Sequence, residues 1–471
     1  MNNDESLRSL DYLWSLAKND PSFLHNVCMT GSEPSLPSIY KTGILAQSTI
    51  AAAGLAASEI LESRGGQKQT VSVNMDHASA SFRSESYLRV QGKAGSQLNS
   101  LNPENDIHGF YRCKNGGWVQ LHANYPKHRK GIITHLQCGN TRQSVADMVG
   151  TMTASEVEET LTAFDLPVGK MRTTEEWDKH AQGKAVSSSQ LFSITKIGEA
   201  DPIKLSINPK RPLEGIKTLE LTKVIAGPLI GRTLAEHGAE VLWINGPHLD
   251  LIDSLVVDMA RGKRPTNLDL RTSSGKQQLK TLAKDANIFI QGYRPGAIAS
   301  KGLSPEELAE IKPGIIYVNL SAFGTEGPWR ARRGFDSIVQ TVSGIGHEGG
   351  KFAGIDGMKH LPCQALDHGT GYIGAFAAMS ALKKQMNQGG SWLVEVSLAQ
   401  TGHYLTSLGK QKEINIKDDN LQNRAHYLEK IESPFGTVEY TKPAAILSKT
   451  PGRWDLPPSP FGTYPAEWWR N

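Results

Sequence analysis

Residues 361–372, with the sequence LPCQALDHGTGY, place a single carboxylate, Asp367, in a loop that runs into a small, apolar, helix-like segment. Gly369 and Gly371 follow closely, and glycine has no side chain that would keep a substrate away from the carboxylate. A carboxylate in this setting can attack an activated acyl group as a nucleophile, or act as a general base. The simpler interpretation is that Asp367 caps the following helix, because Asp is a preferred N-cap residue.

The turn VIAGP, which contains Val224, Ile225 and Ala226, follows a predicted strand. In open α/β sheets, ligands bind in the crevice outside the carboxyl ends of the strands, which is where this turn would lie. Pro228 suits the first position of a helix, so a helix N-terminus would point at the same crevice. An ordinary strand–helix connection has the same pattern.

Two groups of cationic residues lie in the same part of the chain. Arg and Lys are the usual donors to phosphate, and clustered cations raise the affinity for a polyanion. Two separate clusters suit a ligand with two phosphate sites, such as coenzyme A (CoA), although most such runs are solvated loops. The first group is Arg261, Lys263 and Arg264, and the second is Arg330, Arg332 and Arg333.

Several other catalytic and metal-binding patterns are missing from the sequence. It has no GxSxG elbow, no HExxH motif and no P-loop. No GxGxxG follows the first strand of the α/β region, which argues against dinucleotide redox chemistry. The four cysteines form no CxxC pair, so we expect no metal site. His368 and His347 could carry protons near neutral pH, although structural roles are more common for such histidines.

The composition is typical of a globular protein. Hydrophobic residues make up 38% of the 471 residues and charged residues 21%, with a formal net charge of +4. This charge is too small to predict nucleic acid binding, but a local basic pocket would suit an anionic ligand. We recognise no membrane-spanning run and no secretory signal, and the few cysteines fit a reducing compartment. We therefore expect a cytoplasmic protein, with mitochondria and peroxisomes as alternatives.

A helix-like run, a Gly-Gly pair and an alternating strand occur twice, at residues 47–74 and 371–397. These are the usual signals of a helix, its stop and a strand. Their repetition suggests two related copies, although two ordinary helix–strand units can look alike by chance. Near the place of Asp367 the first copy has KTG at residues 41–43, and none of these residues is acidic.

Strands and helices alternate after the proline-rich segment ADPIKLSINPKRPL. The runs GIKTLELT, EVLWIN, PTNLDL, NIFIQGY and GIIYVNLSAF are predicted strands, and such alternation favours a parallel sheet with crossover helices. We predict an α/β fold with a Rossmann-like parallel sheet domain at residues 213–325 and a smaller α+β domain around residues 100–200. The predicted regions are 1–205, 206–415 and a C-terminal tail, 416–471.

An ordered series of segments within residues 213–405 resembles the class III CoA-transferase family, which also contains α-methylacyl-CoA racemases and carnitine CoA-transferases. Residues 1–205 resemble a degenerate copy of the same domain, and residues 206–415 resemble a catalytic copy. This order departs from the simple family layout. The first region resembles the family in RGGQKQTVSVN and RTTEEWDKHAQG, and the second in GIKTLELTKVIAGPLIGRTLAEHGAEV, ARGKRPTNLDL, GYRPGAIASKGL, YVNLSAFGTEGPWRARRGFDSIVQTVSG, LDHGTGY and GGSWLVEVSLAQ.

The resemblance implies a role for each candidate residue. Asp367 falls at the family's catalytic aspartate, which attacks an acyl-CoA thioester to form a mixed anhydride and then an aspartyl-CoA thioester that an acceptor acid opens. The resemblance implies acyl-CoA and a carboxylic acid as substrates, with no permanently bound cofactor and no metal. We expect no nucleic acid or membrane partner, and a homodimer is one open arrangement. The implied CoA contacts are Val224, Ile225, Ala226, Lys263, Arg264 and Arg333.

Two other functions stay open at this stage. The racemase branch uses a histidine in a Gly-His-Asp setting, where this chain has GFD at residues 334–336. Phe335 cannot carry a proton, which favours transfer over racemisation, although His368 or His347 could substitute. The other alternative is a non-catalytic CoA-binding protein, and the retained Asp367 and basic clusters argue against it.

Overall fold

The computed structural model of the chain describes residues 3–98, 107–411 and 424–469. The helices are α1 (Asn3–Leu16), α2 (Thr42–Ser63), α3 (Met75–Ser81), α4 (Ser84–Tyr87), α5 (Pro126–Leu136), α6 (Arg142–Val149), α7 (Ala154–Thr162), α8 (Thr174–Lys179), α9 (Ala181–Ser188), α10 (Ala226–Glu236), α11 (Asp253–Met259), α12 (Ser273–Ala283), α13 (Pro305–Ile311), α14 (Asp336–Val342), α15 (Ile345–Ala353), α16 (Ala365–Gln388) and α17 (Leu398–Ser407). The strands are β1 (Val27–Thr30), β2 (Val71–Asn74), β3 (Arg89–Val90), β4 (Lys93–Ala94), β5 (Gly109–Arg112), β6 (Trp118–Leu121), β7 (Val168–Lys170), β8 (Phe192–Gly198), β9 (Lys217–Leu221), β10 (Glu240–Asn245), β11 (Lys263–Asn267), β12 (Ile288–Gln291), β13 (Ile316–Ser321), β14 (Ser391–Ser397), β15 (Leu428–Ser433), β16 (Gly436–Thr441) and β17 (Ala445–Leu447).

The largest sheet has the strand order β11-β10-β9-β12-β13-β14-β8. The strands β9 to β14 pair in parallel, and β8 adds to β14 in the antiparallel direction. Counted from β9 along the chain, the six parallel strands follow the order 3-2-1-4-5-6, so the direction of winding reverses between β9 and β12. The predicted mixed α/β architecture with a parallel sheet is therefore confirmed.

Side chains of this sheet are buried on both faces, as expected for parallel strands covered by helices. In β10, Val241 and Trp243 join one hydrophobic core, which also contains buried residues of α2, α10 and α16. Leu242 and Ile244 join a second core on the opposite face, with residues of α12 and α13. The alternation follows from the two-residue period of a strand.

The remaining strands form three smaller sheets. β5, β6 and β7 are antiparallel and pack with α5, α6 and α7 around a separate hydrophobic core between residues 107 and 168. The other two sheets combine elements from the two ends of the chain, in the orders β1-β2-β17 and β15-β16-β3-β4. The limits of the three predicted regions stay predictions, and residues 416–423, 470 and 471 of the predicted tail lie outside the described residues.

The long helices α2 and α16 pack side by side in the main core. Among the described helices, α2 is long and apolar enough to cross a membrane, with 22 residues and a mean hydropathy of 1.4. The expectation that no run has this length is therefore wrong for α2. The whole apolar window is buried within the fold, as is common for a core helix.

Candidate functional site

Asp367 is the third residue of α16 and lies within the helix rather than in a loop before it. It does not cap the helix, because Gln364 is the N-cap residue and makes no side-chain capping bond. Instead, Asp336 reaches the helix from α14, and its Oδ2 accepts hydrogen bonds from the backbone N–H groups of Leu366 (2.8 Å) and Asp367 (2.9 Å). Two of the free N–H groups at the start of the helix are thus satisfied by a residue 30 and 31 positions away.

Asp336 is buried and receives a third hydrogen bond from the side-chain amide of Gln340. Burial raises the pKa of Asp336 to about 6, although the N–H groups of Asp367, Gln340 and Leu366 favour its charged form. Asp336 is therefore a structural carboxylate that holds the start of α16 and faces the carboxyl group of Asp367.

The pKa of Asp367 is raised well above its ordinary value, first by burial and then by the negative charges of Asp336 and Glu85. The nearby backbone N–H of Ala226 has the opposite effect on the pKa of Asp367, because it favours the charged carboxylate. A carboxylate in this environment is more basic than one in water, and groups with such shifts are concentrated at functional sites. Once ionised, it has the character of a nucleophile.

The turn before α10 is strained at Val224, where φ is +73°. A β-branched residue is a genuine outlier in this region, and such conformations cost about 1–3 kcal/mol and cluster at functional sites. Ala226, the first residue of α10, follows this turn directly and lies near Asp367. Pro228 is therefore the third helical residue rather than the first, because α10 begins at Ala226.

Gly369 and Gly371 do not provide access to Asp367. A Cβ atom on Gly371 would lie 2.8 Å from Cβ of Leu229 and 2.9 Å from the carbonyl oxygen of Ala226, and one on Gly369 would lie 2.8 Å from Thr401. Both glycines allow α16 to pack closely against α10 and α17. The expectation that they leave room for a substrate is wrong, because neighbouring helices occupy that space.

A cavity of about 580 Å³ opens at Asp367. It lies along the carboxyl ends of β9, β10, β12 and β13, where ligands bind in open α/β sheets. Its described lining contains more cations than anions, which favours an anionic ligand. The cations are Lys127, Lys223, Arg294, Arg330, Arg332 and Arg333, the acids are Asp250 and Asp367, and apolar or aromatic side chains include Val224, Tyr125, Leu320, Phe335 and Leu398.

The second predicted basic group lies on this cavity. Arg333 is partly exposed and donates to Asp165, with 3.1 Å between Nη2 and Oδ2. Arg332 is more enclosed and pairs with Glu158 at 2.9 Å, so its charge is partly neutralised by that carboxylate. Val224 and Ala226 also line the cavity, whereas Ile225 is buried and does not.

The first predicted basic group does not reach the cavity. Lys263 is fully buried, with its Nζ 2.7 Å from Oε2 of Glu220. Arg264 is also buried and pairs with Glu240 at 3.5 Å, while Arg261 pairs with Asp258 at 2.6 Å. The predicted phosphate contacts of Lys263 and Arg264 are not supported by this geometry, because β11 begins at Lys263 and draws both side chains into internal ion pairs.

Several cavity residues were missed by the sequence analysis. Lys223, His248 and Arg294 follow β9, β10 and β12, so the rule that ligands bind beyond the strand ends could have identified them. Tyr125, the N-cap residue of α5, and His128, in the first turn of α5, come from a distant part of the chain, and no local pattern points to them. Burial lowers the pKa of Lys223 to about 8, although Asp250 opposes the shift.

Phe335 stacks on His122 with ring centroids 3.8 Å apart and 4° between the ring planes. Phe335 therefore occupies the position on the cavity wall at which the racemase pattern has its histidine proton carrier. The two candidate substitutes do not line the cavity: His368 is fully buried, and His347 lies on α15 beside Glu348, at 3.3 Å.

The start of α2 repeats the backbone geometry of the start of α16. The N-cap residues Lys41 and Gln364 have φ/ψ angles of −76°/64° and −76°/62°. Glu33 takes the role of Asp336, because its Oε1 accepts a 2.9 Å hydrogen bond from the N–H of Ile44, the third residue of α2. Ile44 thus stands where α16 has Asp367, so the acid is present at only one of these two helix starts.

No group of three or more His, Cys, Asp or Glu residues in the described ranges could hold a metal ion. The expectation that the protein uses no metal or permanent cofactor stays a prediction.

Comparison with known proteins gives a consistent family assignment. A family model described as CoA-transferase family III matches residues 23–203 and 213–440. The acetyl-coenzyme A transferase nodX of Hypoxylon pulicicidum is 35% identical over 44% of this chain, which spans 36% of that protein. An acyl-CoA transferase of Gibberella moniliformis is 24% identical over 94% of this chain and 90% of its own length. A crystal structure of Rv3272 from Mycobacterium tuberculosis is 30% identical, covers 42% of this chain and 58% of that chain, and has a TM-score of 0.39.

Proposed function

Because the chain belongs to CoA-transferase family III, we propose that it transfers CoA between an acyl-CoA and a carboxylic acid through a covalent intermediate on Asp367. The observation that carries this proposal is the position of Asp367: its side chain is largely buried within α16, close to the N–H of Ala226, and lines a cationic cavity. Acyl transfer needs a nucleophile beside a site for a polyanionic thioester, and these features supply both.

In the first half of the reaction, the Asp367 carboxylate attacks the carbonyl carbon of the acyl-CoA thioester. The C–S bond breaks, CoA leaves as a thiolate, and a mixed anhydride with Asp367 remains. The thiolate then attacks the aspartyl carbonyl of the anhydride. That C–O bond breaks, the first acid leaves as a carboxylate, and CoA is held as an aspartyl thioester.

The second half reverses these steps with the acceptor acid. Its carboxylate attacks the aspartyl thioester and releases the CoA thiolate, which leaves a second mixed anhydride. The thiolate attacks the acceptor carbonyl, so that the new acyl-CoA forms and the Asp367 carboxylate is regenerated. Charge is conserved because each step exchanges a carboxylate for a thiolate or the reverse, and no external proton or redox partner is required.

The surrounding residues have distinct parts in this scheme. Asp336 fixes the backbone of Asp367 through two N–H groups, which limits the motion of the nucleophile. The nearby N–H of Ala226 favours the charged form of Asp367. Arg333, Arg330 and Lys223 line the cavity and can donate to the phosphates of CoA.

The order of the parallel strands supports a Rossmann-like domain, in which the cavity lies at the point where the winding reverses. We assign CoA to this crevice, with contacts from Val224 and Ala226. Lys263 and Arg264 are not part of the proposed CoA site, because both are used in buried ion pairs. Cytoplasmic localisation and a homodimer remain predictions.

Asp367→Asn tests the covalent mechanism. The amide keeps the shape of the side chain but is a poor nucleophile, so transfer should be abolished while the fold is retained. Wild-type protein incubated with acyl-CoA and then treated with hydroxylamine should carry a hydroxamate on Asp367, detected by peptide mass spectrometry. Borohydride should likewise mark Asp367 by reducing the same intermediate.

Asp356→Asn is the matched control, because Asp356 is an exposed partner of Arg112 outside the cavity. It should keep full activity and carry the same label on Asp367. Turnover of Asp367→Asn at a rate near that of the wild type would rule out the covalent mechanism.

A further inference from the structure

The segment around α4 contacts the helix that carries Asp367. Oε2 of Glu85 lies 3.0 Å from Nε2 of His368, the residue immediately after Asp367 in α16. The ring of Phe82 stacks on His368, with centroids 5.4 Å apart and 26° between the planes. Residues from the first part of the chain therefore contact the first turn of α16, whose backbone N–H groups at Leu366 and Asp367 are held by Asp336.

This segment is itself anchored. Oγ of Ser84 donates a 2.6 Å hydrogen bond to Asp258, which is buried and also pairs with Arg232 at 3.0 Å and Arg261 at 2.6 Å. Glu85 follows Ser84 directly, so its position is fixed by a buried ionic cluster rather than by a flexible loop. A carboxylate held in this way can define the position of its partner.

Glu85 and His368 act on different neighbours through their charges. The negative charge of Glu85 raises the pKa of Asp367, which also faces Asp336. It likewise raises the pKa of Cys363, which also faces Asp336 and Arg83. The imidazole of His368 favours the charged forms of Asp336 and Asp258. The Nδ1 atom of His368 is buried and has no hydrogen-bond partner among the described residues, so the contact with Glu85 anchors its ring.

We propose that Glu85 and His368 form a positioning pair for Asp367, in which Glu85 holds the first turn of α16 through His368 and adds a negative charge beside the nucleophile. The proposal rests on the proposed function of Asp367. Neither member of the pair lines the cavity, so neither touches the substrate. The pair sets the pH at which Asp367 ionises and the position of its carboxylate. It does not change the affinity for CoA.

The first test is the pH profile of Glu85→Gln. Gln can still accept a hydrogen bond from His368 but carries no charge. The negative charge of Glu85 raises the pKa of Asp367, so its removal should let Asp367 ionise at lower pH. The acidic limb of kcat/KM should therefore move to lower pH, while the KM for acyl-CoA stays unchanged.

The second variant, Glu85→Ala, also removes the hydrogen bond to His368. Its acidic limb should shift in the same direction as in Glu85→Gln, and its kcat on the pH plateau should fall below that of Glu85→Gln. Gln keeps the hydrogen bond to His368 without the charge, so a higher plateau kcat in Glu85→Gln than in Glu85→Ala separates the effect of position from the effect of charge. Glu348→Gln is the matched control, because Glu348 has the same 17% side-chain exposure and also contacts a histidine, His347, away from the cavity.

Superimposed pH profiles of wild type and Glu85→Gln would show that the charge of Glu85 does not influence the ionisation of Asp367. Equal plateau kcat values in Glu85→Gln and Glu85→Ala would show that the hydrogen bond to His368 does not position Asp367. An unshifted melting temperature in each variant excludes a loss of fold as the cause. If Asp367→Asn is active, the proposed function fails. If Asp367→Asn is inactive but the Glu85 profiles match the wild type, only this inference fails.

Discussion

Asp336 and Asp367 are two buried carboxylates at one helix start, and their surroundings separate their roles. Asp336 is surrounded by three N–H donors and supports the backbone, whereas Asp367 lies close to the N–H of Ala226 and lines the cavity. Between neighbouring carboxyl groups of this kind, the one with fewer donors takes up a proton more readily. The proposed nucleophile, Asp367, thus differs from Asp336 in its environment although both are aspartates.

Arg333→Ala should weaken CoA binding by roughly tenfold to a hundredfold, because the loss of a charge-assisted hydrogen bond costs ~1.5–3 kcal/mol. Isothermal titration calorimetry with CoA measures this directly. Arg112→Ala, which breaks the exposed pair with Asp356 outside the cavity, should leave the affinity unchanged. Equal affinities for the wild type and Arg333→Ala would remove Arg333 from the CoA site.

Of the four charged residues that the sequence analysis assigned to the site, Asp367 and Arg333 line the cavity, whereas Lys263 and Arg264 do not. A run of cations has the same appearance whether its partners are phosphates or buried carboxylates. The partner of Arg264 is Glu240 on the adjacent strand β10, and the partner of Lys263 is Glu220 on β9, the next strand beyond β10. Both acids are distant in sequence from their partners. Strand pairing must be known before such ion pairs can be predicted.

At the scale of elements, α16 positions the site by close packing at its glycines. Gly371→Ala should destabilise the protein by about 1–3 kcal/mol, because its Cβ would meet Cβ of Leu229 and the carbonyl oxygen of Ala226. The same displacement should move Ala226 away from Asp367 and lower kcat. Urea unfolding and steady-state kinetics measure the two effects.

Gly374→Ala provides the control for this variant. Its Cβ would meet Cδ1 of Ile230 at 2.6 Å, and the end of a flexible side chain can move. We expect a smaller loss of stability and a kcat close to that of the wild type. If Gly371→Ala and Gly374→Ala have the same kcat, close packing at Gly371 does not position the turn before α10.

Periodicity predicted β9, β10, β12 and β13 well, because each of these strands carries its own hydrophobic run. EVLWIN, for example, is the whole of β10. Periodicity placed the third strand at PTNLDL, whereas β11 is Lys263–Asn267, a polar and cationic segment that lacks such a run. The capping of α16 by Asp336 could not be predicted in this way. Asp336 and Asp367 are 31 residues apart, and their contact depends on the packing of α14 against α16.

At the scale of the whole molecule, Asp258 joins parts of the chain that are far apart in sequence. It binds Ser84 of α4, Arg232 of α10 and Arg261, and Arg261 in turn donates to the carbonyl oxygen of Thr441 in β16. Although burial favours its neutral form, Arg232 and Arg261 hold the pKa of Asp258 below its ordinary value. The cluster therefore connects the two ends of the chain to the central sheet.

Asp258→Ala should lower the free energy of unfolding by about 3–5 kcal/mol, because it leaves two buried guanidinium groups without their carboxylate. Asp269→Ala removes the partner of the exposed Arg271 and should cost only ~0–1 kcal/mol. Urea denaturation compares the two variants. Similar midpoints would show that the cluster contributes little to the stability of the fold.

The repeated helix–strand pattern predicted two similar units, and α2 with β2 and α16 with β14 are those elements. The sequence could not show that α2 and α16 pack side by side, because both helices are apolar on nearly every face. Nor could it show that Glu85 reaches the first turn of α16, since this contact spans 283 residues.

The contact between Glu85 and His368 has a genetic consequence. When an active site is assembled from two subunits, mixing two defective chains can regenerate an intact site, and two mutant alleles then complement each other. Here Glu85 and Asp367 belong to one polypeptide. We therefore expect a chain defective at Glu85 and a chain defective at Asp367 not to complement each other when mixed, because neither chain carries both residues intact.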